Sequence, residues 1–198
     1  MLARRDSSVI TLILIGVGLN ALAGALTSLA INFSQNPFAL SEMVLWLLGA
    51  LTNRSMTDVL LALPFMVVGA GLLLLAGPAL RMLTLGEEVA QVSGVNIRTT
   101  RWLCIVGSGL SVGAAVAVAG MVGFVGLIVP HIIRPWVGSD PQRLLVPSAI
   151  AGALLVIWAD ALVRFLPTTA DLKLGVVTAL IGGPFFLYLV VKTRRAMR

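Results

Sequence analysis

WLCIVGSGLSVGAAVAVAGMVGFVGLIVPHII, Trp102–Ile133, is an apolar run without a single Asp, Glu, Lys or Arg. A helix crossing the hydrocarbon core of a bilayer takes about 20 residues. This run is too long for one crossing and too short for two full ones. Gly120 and Gly123 mark the break, which divides it into a crossing helix, Trp102–Ala119, and a short helix, Phe124–Ile133. At 1.5 Å per residue the short piece reaches roughly 15 Å, about half the hydrocarbon thickness. Broken helices at that depth are tolerated where protein or a water-filled cavity shields the backbone. The stretch therefore predicts an all-α, polytopic membrane protein with an interior, rather than a simple anchor.

Working outward, similar runs lie on both sides. Val9–Ile31, Val59–Leu80, Leu144–Leu166 and Leu174–Val191 read as spans, giving about six crossings with the short one included. Leu40–Leu51, after the break at Asn32–Pro37, reads as an interfacial or re-entrant helix. Composition agrees: 59% of the residues are hydrophobic and 11% charged, and mean hydropathy is +1.04. A soluble domain of this size could not hide that much apolar surface. The runs lack the alternation of a lipid-facing barrel strand. Val9–Ile31 is too long for the apolar core of a signal peptide, and no small-residue cleavage site directly follows it.

Charge sets the orientation. With the N-terminus inside, the inside segments are 1–8, 81–101, 134–143 and 192–198. They hold all of the fourteen Lys and Arg except Arg54, Arg164 and Lys173. That bias follows the positive-inside rule, places both termini in the cytoplasm, and accounts for the net charge of +6 without nucleic acid. One Cys, Cys104, and one His, His131, exclude a disulfide within the chain and a Cys/His metal cluster.

Four features carry candidate chemistry. GEEVAQVSG, Gly86–Gly94, is a short helix-prone segment between two spans. Its Glu87 and Glu88 stand where a helix dipole favours acid. It reads either as an ordinary solvated loop or as a surface for a partner outside the membrane. VGFVGLIVPHIIR, Val122–Arg134, combines Gly123 and Gly126, a small-residue spacing suited to close helix packing, with Pro130, which can break the helix. His131 reads as a structural hydrogen-bonding residue near the interface. Asp160 and Arg164 stand four apart, a spacing that pairs them on one helix face. Gly175, Thr178, Ala179, Gly182 and Gly183 suit close packing along the last helix, which also holds Pro184. No phosphate-binding loop and no nucleophile–base set is present, so this chain is not itself an enzyme.

LGEEVAQVSGVNIRTTRWL resembles the cytoplasmic coupling loop of the FecCD-like family, the permeases of iron-siderophore, haem and cobalamin ABC importers. The stretch 115–166, with its AGMVGFVGLIVPHIIR core and later Asp160–Arg164 pair, resembles that family's next segment. LGVVTALIGGPFFLYLVVK resembles its last helix. The match covers essentially the whole chain. It departs at Asp171–Lys173, where the family has proline before Gly-Val and this chain has Lys173. The resemblance implies a single permease domain over 1–198, with a coupling loop at 81–101. There Gly86, Glu87, Glu88, Val89, Ala90, Gly94 and Val95 would dock on a cytoplasmic ABC ATPase dimer holding ATP and Mg. It also implies a second permease subunit and a periplasmic or lipid-anchored substrate-binding protein that meets Arg164. A translocation path or packing surface would involve Gly123, Gly126, Pro130, Gly175, Gly182 and Pro184. Localisation in a bacterial inner membrane follows, with no metal or cofactor held by this chain.

The family has about ten crossings. The chain therefore corresponds to its back half, and the first four are expected to be missing, through a truncated gene or through a separate chain that supplies them. Two other readings compete. One is an ion-driven carrier, disfavoured because the centres of the spans lack ionisable residues. The other is a non-transporting remnant.

Overall fold

The structure is a computed structural model and describes residues 3–52, 54–165 and 172–196. Among these residues it is all α-helix: α1 (Ala3–Phe33), α2 (Pro37–Leu47), α3 (Met56–Leu83), α4 (Glu87–Val92), α5 (Ile97–Ala119), α6 (Val125–Val137), α7 (Pro141–Phe165) and α8 (Leu174–Ala196). Leu166 and Asp171 lie outside the described residues. By length and composition α1, α3, α5 and α7 can each cross a membrane; α2, α6 and the apolar part of α8, Leu174–Leu189, are shorter. The chain forms two compact units, Met1–Val44 and Leu45–Arg198.

In the first unit the start of α2 is set by its cap. Asn36 Oδ1 accepts a hydrogen bond from Phe38 N at 3.0 Å. Pro37 stands at the first helical position, where its missing N–H has no intrahelical partner to lose. The helix thus starts three residues before the expected Leu40 and ends at Leu47 rather than Leu51, because Gly49 turns the chain with φ +65°.

In the second unit α3 is the hub. It packs against α5 and α7, and α7 carries α6 and α8. A reciprocal capping box starts it: Ser55 N donates to Asp58 Oδ2 at 2.8 Å, and Asp58 N donates to Ser55 Oγ at 3.3 Å. Its buried residues are all small: Ala62, Gly69, Ala76 and Gly77. The first three recur every seven residues, the spacing that keeps one seam turned toward a partner helix. At the α3–α5 crossing a Cβ on Gly69 would come 2.6 Å from Gly107 O, and one on Gly107 would come 2.9 Å from Gly69 O. Main chain meets main chain there, as lipid-embedded helices without a hydrophobic driving force require.

The chain breaks at the opposite end from α4 satisfy one another. Ala50 N donates to Ala119 O at 2.8 Å, Met121 N to Trp46 O at 3.3 Å, and Gly175 N to Leu48 O at 3.1 Å. The Trp46 indole N–H donates to Ala117 O at 3.3 Å. A Cβ on Gly120 would strike Trp46 O, and one on Gly175 would strike Leu48 O. The end of α2, the end of α5 and the start of α8 thus form one backbone junction.

The break in the 102–133 run falls at Gly120–Phe124, and α6 follows. It continues to Val137, one turn past the expected Ile133. Pro130 does not break it, and Pro135 also lies inside it. A proline inside a membrane helix is tolerated where local adjustment or neighbouring groups take up the freed carbonyl.

Gly69→Val should destabilise the purified protein in detergent by roughly 1–3 kcal/mol through overpacking. Gly71→Val, two residues along the same helix with open space around it, should change thermal unfolding far less.

Candidate functional site

The polar segment 81–101 is mostly helix rather than loop. α3 runs through it to Leu83 and α5 begins at Ile97. The true link is residues 84–96, and α4 occupies its middle. Glu87 and Glu88 fill the first turn of α4 after Gly86, which takes φ +106° and offers no side-chain cap. At the other end Gly94 N donates to Gln91 O at 3.0 Å and Val95 N to Ala90 O at 2.9 Å, with Gly94 at φ +83°. This pair of bonds is a Schellman stop, which needs the left-handed residue that glycine supplies. Asn96 then caps α5, its Oδ1 accepting from Thr99 N at 3.2 Å.

Six residues cannot hold a helix alone, so tertiary contacts hold this one. α4 touches both α3 and α5. Ala90 is fully buried, and Arg101 Nη2 of α5 donates to Glu87 Oε1 at 3.1 Å. Its other side is open and mixed, with Glu88 and Gln91 exposed beside apolar side chains. Val89, Val92 and Leu85 are 46%, 91% and 64% exposed, although none lies within a candidate membrane span. Val89 and Val92, three residues apart, share a helix face. Beside this unit Asp140 gathers the ends of α3 and α7. Arg81 Nε stands 3.2 Å and Arg143 Nε 3.8 Å from Asp140 Oδ2, while Gln142 N donates to Asp140 Oδ1 at 3.0 Å.

At the other end of α7, Arg164 Nε pairs with Asp160 Oδ2 at 2.7 Å, leaving Arg164 more than half exposed. Between α6, α7 and α8 runs an apolar cleft of about 370 Å³, lined by Gly123, Val125, Trp158, Leu162, Thr178 and Phe185, among others. Gly182 of α8 receives Phe124: a Cβ there would strike the Phe124 side chain. Phe124 itself holds φ +67°, and among the described residues no other non-glycine has positive φ. A left-handed non-glycine residue costs about 1–2 kcal/mol. It is held at the entry to α6, next to its seat on α8. Pro184 lies inside α8 two residues further on.

Two sequence expectations need correction. Nothing in this chain lies within 4 Å of a Cβ built on Gly123, just before α6, or on Gly126, within it, so the close packing expected of them is not made among the described residues. Among the described residues the ring contact of His131 is edge-on to Phe185, with centroids 6.2 Å apart, in place of the expected hydrogen bond. Among the described residues no group of His, Cys, Asp and Glu could hold a metal. Sequence reading missed Gly49, Gly69 and Gly107. The seven-residue recurrence of Ala62, Gly69 and Ala76 was the available signal for the α3 seam.

Comparison with known proteins then bears on this arrangement. A family model described as the FecCD transport family matches residues 1–192. The hemin transport system permease protein of Yersinia pestis is 38% identical over 183 residues, covering 92% of this chain and 54% of that protein. The vitamin B12 import system permease protein of Vibrio cholerae is 40% identical over 181 residues, covering 91% and 54%. A solved structure described as a metal-chelate type ABC transporter, inward-facing, superposes with TM-score 0.83 at 36% identity, covering 91% of this chain and 58% of that one. The chain spans about half the length of the curated relatives it matches.

Gly94→Val should lose roughly 1–2 kcal/mol at the Schellman stop, whereas Gly94→Asn, which tolerates the left-handed region, should lose less. Hydrogen exchange over residues 87–96 should quicken in the first variant and stay near the parent in the second.

Proposed function

The chain belongs to the FecCD transport family, and from that premise we propose that it forms the back half of the membrane permease of an ABC importer. The cargo class is an iron-siderophore, haem or cobalamin-type chelate, as the hemin and vitamin B12 permeases among its relatives suggest. The carrying observation is α4: a short helix closed by a Schellman stop which, with the link before it, exposes Leu85, Val89 and Val92 outside the candidate spans. Exposed apolar side chains clustered on a polar link favour a protein partner.

That partner is a cytoplasmic ABC ATPase dimer. It binds ATP and Mg and hydrolyses ATP, and this chain supplies no catalytic group. The Arg-rich ends of α3, α5 and α7 then lie in the cytoplasm, with both termini, and the backbone junction lies at the outer face of a bacterial inner membrane. Arg164, exposed near that face, meets acidic residues of a substrate-binding protein. A second permease subunit packs beside this one. The cleft between α6, α7 and α8 flanks the route of the cargo, with Gly175, Gly182 and Pro184 shaping α8 beside it.

Val89→Asp with Val92→Asp should abolish capture of the ATPase from native membranes while membrane insertion stays intact. Undiminished co-purification would sink the reading. Arg164→Glu should weaken capture of the binding protein, most visibly at low salt, and leave ATPase capture unchanged.

A further inference from the structure

We infer that Glu87 is a positioning residue: through Arg101 it ties α4 to α5, so that movement of α4 is delivered to the membrane helix. This rests on the reading of α4 as the docking element and revises the expectation that Glu87 touches the ATPase. The Glu87 carboxylate is already engaged within its own chain. Its Oε1 stands 3.1 Å from Arg101 Nη2, across a sequence separation of 14, and both side chains are only a little over one third exposed. The open surface of α4 and the link before it instead presents Leu85, Val89 and Val92, with Glu88 and Gln91 exposed beside them.

The need for a tie follows from the links. α4 hangs between Gly86 and Gly94, both at positive φ, and three residues separate it from α3. With flexible glycine at each end, a push on α4 would be taken up by rotation of the links. Packing on α3 opposes that, as do the buried Ala90 and the Glu87–Arg101 pair, the last of which reaches α5. Arg101 lies in the second turn of α5, whose first turn is capped by Asn96. One turn and a half further along, Gly107 puts α5 against the backbone of Gly69 on α3. The pair therefore joins α4 to a helix that crosses α3 backbone to backbone.

The test uses the intact transporter with its own ATPase and binding protein in liposomes, and reads the ratio of cargo moved to ATP hydrolysed. Glu87→Gln and Arg101→Gln should each lower that ratio about two- to fivefold, the range expected for a part-exposed ion pair. The exchanged pair, Glu87→Arg with Arg101→Glu, should recover most of it. Loss in both single variants without recovery in the exchange would overturn the proposal and return Glu87 to direct contact with the ATPase. Unchanged ratios in both single variants would also overturn it. If Val92→Asp still abolished ATPase capture in that case, docking by α4 would survive. If it did not, the docking reading would fall too.

Discussion

Every backbone N–H and C=O at membrane depth must find a partner inside the protein, because lipid offers none. Helices meet that demand along their length, and their ends do not. In this chain three ends meet each other. Ala50, Met121 and Gly175 each donate an amide to a carbonyl of a different segment, at 2.8, 3.3 and 3.1 Å. The approach is so close that Gly120 and Gly175 leave no room for a Cβ. Once the end of α2, the end of α5 and the start of α8 are joined, α6 must start back from Gly120–Phe124. Phe124 then adopts its left-handed backbone and seats against Gly182.

The two ends of the second unit consequently differ. One is locked by main-chain bonds with no side-chain freedom in them. The other is held by side-chain ion pairs: Arg81 and Arg143 to Asp140, and Arg101 to Glu87. Part-exposed ion pairs of this kind contribute about 0–1 kcal/mol each, so they guide position more than they stabilise. A fixed end opposite an adjustable one, with the α3–α5 crossing between them, is the arrangement that the proposed docking at α4 would use.

The sequence makes some of this legible and some not. The break at Gly120 follows from the length of an apolar run, since hydrocarbon thickness fixes how many residues one crossing takes. Helix ends within 81–101 are less legible. Apolar composition stops where the hydrocarbon stops, but α3 and α5 continue as helices into polar surroundings, leaving only residues 84–96 as a link. Pro130 misleads for a similar reason, since a proline that would break a soluble helix is carried inside α6. The junction is hidden because its partners are distant in sequence: Trp46 meets Ala117 and Met121, and Gly175 meets Leu48. Gly123 and Gly126 show the converse. Small-residue spacing marks where close packing is permitted, not where this chain makes it.

The most direct measurement of the central claim is the sidedness of α4. A single cysteine at Val92, in a background where Cys104 is replaced by serine, would be treated with a membrane-impermeant maleimide in right-side-out and inside-out vesicles. The account predicts labelling in inside-out vesicles alone, reduced when the ATPase is bound. Labelling in right-side-out vesicles would contradict it, because α4 would then face away from the compartment in which the account places the ATPase.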